Sequence, residues 1–160
     1  MKSNQSLYLF MLIFLLVGCS DSREDAQPYQ FHLVLSGESE HWEIEGYELQ
    51  YDEKRYKSGN GKLAMKNIEE YVSDYLSMRI QVVTHGKDKR IQSYSVSGSD
   101  MNIVNHQIGT IEGIKMDSDE VIKKEDIDQI YATIIWRESQ EKKDLKERIL
   151  LYEREADSFD

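Results

Sequence analysis

The sequence predicts a mainly β domain, an antiparallel β-sandwich, and three observations lead there. Apolar and polar residues alternate with a period of two in residues 29–36, 76–84 and 129–137, as in strands with one face in a core and one in water. Those stretches are rich in β-branched and aromatic residues, which suit a pleated, half-buried surface. Finally, 160 residues hold a single domain. Cys19 is the only cysteine, so no disulfide framework supports the core.

The N-terminal segment is unlike the rest. Residues 1–6 are polar with one charge, Lys2, and residues 7–17 are an uninterrupted apolar run ending at Gly18 and Cys19. This is the anatomy of a cleaved export signal. The run is about half of the roughly 20 apolar residues that a permanent membrane span needs. Its last four residues, Leu16-Val17-Gly18-Cys19, resemble the lipobox of bacterial lipoproteins. The resemblance implies that residues 1–18 are removed and that Cys19, with a diacylglyceryl group on its sulfur, becomes the new N-terminus. An exported chain with one free thiol would be unusual, and acylation consumes that thiol. Two acyl chains anchor stably where one is marginal.

Residues 19–28, closed by the only proline, Pro28, are expected to form the lipidated N-terminus and tether; residues 20–28, fully extended, reach at most about 30 Å. Residues 29–153 are assigned to the β-sandwich domain and 154–160 to a flexible acidic tail. The whole chain carries 30 acids against 20 bases, and losing Lys2 with the signal makes the balance more negative still. Such a domain is repelled by an anionic membrane surface. It also lacks the basic footprint that nucleic acid requires, so nucleic acid is excluded as a partner.

Within the domain, Tyr29, Phe31, Leu33 and Leu35 form the inward set of the first strand. In residues 42–51 the apolar phase changes: Trp42 and Ile44 are even, Tyr47, Leu49 and Tyr51 are odd, and Gly46 lies between them. A bulge or bend at Gly46 is expected. Short strands are predicted at 54–57 and 61–66, around a Ser58-Gly59-Asn60-Gly61 run that supplies positive φ for a tight turn. Residues 67–75 place Ile68, Tyr71, Val72 and Tyr75 at helical spacing behind an Asn67/Glu70 capping pair, and predict one short helix crossing between sheets. Leu76, Met78, Ile80 and Val82 then point inward. Residues 90–97, 103–108 and 109–116 are expected as more exposed strands, followed by Ile130, Ala132, Ile134 and Trp136 on the core face of 129–137. Residues 138–155 have helical propensity, with Leu145, Ile149 and Tyr152 on one face. The competing reading is a charged loop at 139–144 and a last strand at 146–152.

The extended first strand, then Ser36-Gly37-Glu38-Ser39-Glu40-His41-Trp42, a Gly-rich hairpin, and late Ile134-Ile135-Trp136 before a charged turn and Ile149-Leu150-Leu151 resemble small lipoproteins of Gram-positive bacteria with immunoglobulin-like β-sandwich domains. The resemblance covers most of residues 31–152. It implies that the last two strands form a hairpin, and the strand reading of 146–152 is adopted on that ground. The acidic stretch 117–128 departs from the pattern.

Chemistry is sparse. The sequence has no Gly-x-Ser-x-Gly elbow, phosphate-binding glycine loop or His-Glu-x-x-His pair. His32 and His41 flank the connection 36–40 and with Glu40 offer nitrogen and oxygen donors of the type zinc takes; the simpler expectation is two outward polar side chains. His85 precedes a plain turn, and His106 has no ligand near it in sequence. Asp117, Asp119 and Glu120, followed by Glu125, Asp126 and Asp128, are the best calcium candidates, but the calcium-loop order is absent and Lys123 and Lys124 interrupt the cluster. A solvated mixed-charge loop is the better expectation. Glu38, Glu40, Glu43 and Glu45 form a second acidic patch. Tyr47, Tyr51 and Tyr56 are weighed as an amphipathic contact surface and assigned to the core.

The expectation is a non-enzymatic binding or assembly module without cofactor other than the lipid on Cys19. It is held on the outer face of a bacterial cytoplasmic membrane, with another envelope protein or polymer as its partner. The alternatives are a calcium-dependent surface protein using residues 117–128 and, third, an enzyme acting on wall polymer through paired acids.

Overall fold

A computed structural model describes residues 30–51, 55–112, 122–138 and 141–155. The export signal, Cys19, the whole tether, and the acids Asp117, Asp119 and Glu120 lie outside the described residues. Among those described, the strands are β1 (Phe31–Glu38), β2 (Trp42–Tyr51), β3 (Tyr56–Gly59), β4 (Lys62–Met65), β5 (Val72–Thr84), β6 (Lys87–Asn102), β7 (Asn105–Gln107), β8 (Ile111–Glu112), β9 (Ile127–Glu138) and β10 (Lys143–Glu153). One sheet runs β7-β4-β2-β3-β8 with β1 on the other side of β2, and the second runs β10-β9-β5-β6. Every pairing is antiparallel, as the alternating pattern predicts.

Registers simplify the first sheet. Against β2, Tyr51↔Tyr56 through Glu48↔Gly59 is taken up again at Glu45↔Lys62 and runs on to Trp42↔Met65 without a slip. Thus β3 and β4 are halves of one strand. β8 and β7 likewise continue each other, with Ser58↔Ile111 in step with Lys62↔Gln107. The bend at Gly46 within β2 lines up across the sheet with the breaks at Asn60 and Gly61 and at residues 108–110. Gly46 takes a φ of 63°; Trp42 and Ile44 are buried before it and Tyr47, Leu49 and Tyr51 after it. The phase slip is therefore the expected bend, and it lets β2 face the core along its whole length.

The Gly-Asn-Gly run behaves differently from the expectation. Gly59 and Asn60 do adopt positive φ, 132° and 59°, but the chain does not reverse there, because β3 and β4 both pair with β2. What requires the glycine is a close approach: a Cβ on Gly59 would stand 2.3 Å from the carbonyl oxygen of Gly109.

The crossing helix is not formed. Asn67 takes a φ of 59° in a turn, and β5 already begins at Val72. The backbone of Tyr71 is used by the neighbouring crossing: its carbonyl accepts from Ile103 N–H at 2.9 Å and its N–H donates to Asn102 Oδ1 at 3.3 Å. Too few residues separate β4 from β5 to nucleate a stable helix. Ile68 and Val72, two of the four residues at helical spacing, are exposed.

The end of the chain is the predicted strand. β10 pairs with β9 from Lys143↔Glu138 to Glu153↔Gln129, so tertiary pairing overrides helical propensity. The two sheets pack sandwich-like on Trp42, Ile44, Tyr47 and Leu63 from one side and Leu76, Ile80, Ile134 and Trp136 from the other. Their strand order is not that of an immunoglobulin constant domain, where the third strand lies in the opposite sheet. Here the chain stays beside β2 through Met65 before it crosses. Among the described residues no helix is long and apolar enough to cross a membrane.

Candidate functional site

The sheets meet along one edge. β1 slips register between Leu35 and Gly37, and Gly37 backs onto β10 so closely that a Cβ there would stand 2.2 Å from the Leu150 carbonyl oxygen. This brings the β1–β2 turn, residues 39–41, over β10. On β10, Leu145, Glu147, Ile149 and Leu151 share one phase, and Ile149 and Leu151 are buried in the core. Glu147 is thus a carboxylate in a core-facing position, with its side chain only 16% exposed.

Partial burial of a carboxylate is costly unless its oxygens are paired, and those of Glu147 are. Ser39 Oγ donates to Oε2 at 2.6 Å, the His41 backbone N–H donates to the same oxygen at 3.1 Å, and His41 Nδ1 meets Oε1 at 2.5 Å. Burial by itself would raise the Glu147 pKa; the bonds from Ser39 and His41 outweigh it and hold the carboxyl below its usual range. The group is ionised at neutral pH, which makes Nδ1 the donor. The turn is fixed from its other side by Lys66, whose Nζ donates to Ser39 O at 2.8 Å and to Glu38 Oε2 at 3.0 Å.

Beneath the turn, the His41 ring lies 5.9 Å from Trp136, tilted by 53°, and Trp136 meets Trp42 edge-on at 5.6 Å. Glu40 completes the cluster: Glu40, His41 and Glu147 each bring one donor atom within 4.8 Å of the others. Ser39 bonds to the carboxylate that also holds the imidazole. This is not the serine-to-imidazole relay that activates a nucleophile.

The structure separates the two histidines considered together in the sequence. His32 pairs in register with Gln50 and lies 3.5 Å from Glu48, at the opposite end of the β1–β2 hairpin from His41. His85 and Gly86 form the β5–β6 turn with φ of 50° and 72°, as hairpin turns of this type require. His106 lies 3.5 Å from the Tyr94 hydroxyl. Of the acids flanking residues 117–121, Asp128 pairs with Arg154 at 2.5 Å and accepts from Gly86 N–H at 3.1 Å, while Asp126 lies 3.7 Å from His85. Asp128 is thus already paired with a cation. Arg154, placed by sequence at the start of the tail, also bonds the Glu125 carbonyl. Tyr47, Tyr51 and Tyr56 are core residues; the Tyr47 hydroxyl donates to Gln92 Oε1 at 2.9 Å and that of Tyr56 to Ile91 O at 2.7 Å.

Glu147 is the residue that sequence reasoning missed. Its signal is the phase of Leu145, Glu147, Ile149 and Leu151, visible only once these residues are read as a strand. Comparison of the chain with family profiles, with curated proteins and with solved structures finds no match.

Proposed function

We propose that this protein is a lipid-tethered binding module of the bacterial envelope. Cys19 carries the lipid, and the β domain engages another envelope protein or polymer without performing chemistry on it. The observation that carries the reading is the Leu16-Val17-Gly18-Cys19 lipobox at the end of a short apolar run. The first strand begins at Phe31, so the tether is short, and the acidic surplus keeps the domain off the anionic surface beside which it is held. Two acyl chains then supply the membrane affinity.

A surface suited to a partner supports the same reading. β6 is the end strand of its sheet, and Ser93, Ser95, Ser97 and Ser99 along it are exposed. Charges and prolines, the usual devices that block edge pairing, are missing from residues 91–99. Such an edge accepts an added strand.

A photo-crosslinking residue placed at Ser95 in the full-length protein in cells tests this. A discrete adduct with another envelope component is expected. Recovery of the uncrosslinked protein alone, from Ser95 and from the exposed Leu150 in parallel, would overturn the reading.

A further inference from the structure

We propose that Glu40, His41 and Glu147 form a site for a divalent transition-metal ion of the zinc class. The three donors lie on two elements 106 residues apart in sequence, the β1–β2 turn and β10, so the site exists only in the folded chain. One imidazole nitrogen with two carboxylates is a donor set for zinc and its neighbours, whereas calcium and magnesium take oxygen alone.

The geometry is close to what an ion needs. Two ligands each about 2.0–2.2 Å from one tetrahedral ion stand about 3.3–3.6 Å apart; the donor atoms here lie within 4.8 Å of one another, and His41 Nδ1 and Glu147 Oε1, in hydrogen-bond contact at 2.5 Å, would part as the proton between them moves away. Glu40 is exposed, so its side chain closes the difference by rotation.

A second feature is independent of that spacing. Metal-binding carboxylates are oriented by hydrogen bonds to the oxygen that does not face the ion. Glu147 is held in this way: Ser39 Oγ and the His41 N–H both occupy Oε2. Oε1 faces the imidazole, and the proton between Nδ1 and Oε1 is the one an ion would displace. His41 rests on Trp136, which restricts the ring. With Glu40 and His41 exposed, the remaining position on the ion opens to water. Binding at Nδ1 would move the imidazole proton to Nε2, and it would tie the turn to β10 more firmly than the present hydrogen bond does.

The test is titration with zinc chloride of the full-length chain carrying Cys19→Ser, purified in detergent without a polyhistidine tag, so that neither a thiol nor a tag competes. One equivalent of zinc should bind, with a rise in melting temperature. Glu40→Gln and His41→Gln should each weaken binding at least tenfold. Glu40 is a surface side chain, so its variant keeps the fold whatever happens to the His41 variant. Absence of binding at 100 μM zinc, as an order-of-magnitude ceiling for a specific site, would overturn the proposal. So would unchanged binding in Glu40→Gln, even if His41→Gln were impaired. Either result would leave the lipid-tethered reading standing, because that reading rests on residues 16–19.

Discussion

Two titratable residues show how position sets charge. Glu147 occupies a core-facing position and is kept ionised by Ser39 and His41; an inward acid on a strand at the end of its sheet also discourages pairing with another chain. His106 shows the opposite effect. Burial pushes its pKa below the ordinary 6.5, with the Ile103 carbonyl acting in the other direction. Protonation is therefore harder in the folded protein than in the unfolded chain. The His106 contribution to stability is complete above pH 6.5, declines as pH falls from there toward the lower folded value, and then levels off. His106→Gln should flatten the pH dependence of urea-unfolding stability across that window. A slope identical to that of the parent would contradict this placement of His106.

The first sheet owes its shape to glycines at its line of breaks. Gly59→Ala introduces a Cβ 2.3 Å from the Gly109 oxygen at a φ of 132° and should cost about 2–4 kcal/mol. Gly86→Ala, at a φ of 72° with nothing within 4 Å, should cost only about 1–2 kcal/mol. Urea unfolding of both variants checks the difference; equal costs would mean that close approach is not what Gly59 provides. Much at this scale was legible in the sequence. The core phases of 76–84 and 129–137 and the slip at Gly46 follow from period-two alternation, which needs only local information. The crossing helix failed because helical spacing of four apolar residues does not reveal that the neighbouring crossing has taken the backbone groups of Tyr71. The Gly-Asn-Gly turn failed because positive φ permits a reversal without requiring one. Two of the three candidate donors were also visible, since Glu40 and His41 adjoin. The third donor was sought in His32, the nearest histidine in sequence, and Glu147 stayed hidden because nothing in the sequence says that the last strand, 106 residues on, runs beside the β1–β2 turn.

For the molecule as a whole, division of labour between anchor and domain is the central claim. The described domain is two antiparallel sheets packed on one core. In the proposed account, attachment belongs to Cys19 alone, and the acidic domain faces the envelope from a short tether. Fractionation of cells expressing the full-length protein and its Cys19→Ser variant, with mass spectrometry of the N-terminus, tests this most directly. The account predicts that the parent is recovered in the membrane fraction, beginning at a diacylglyceryl-modified Cys19, and that the variant is neither lipidated nor cut ahead of residue 19. A parent protein whose mature N-terminus carries no lipid, or a variant still processed after residue 18 and still bound to the membrane, would contradict it.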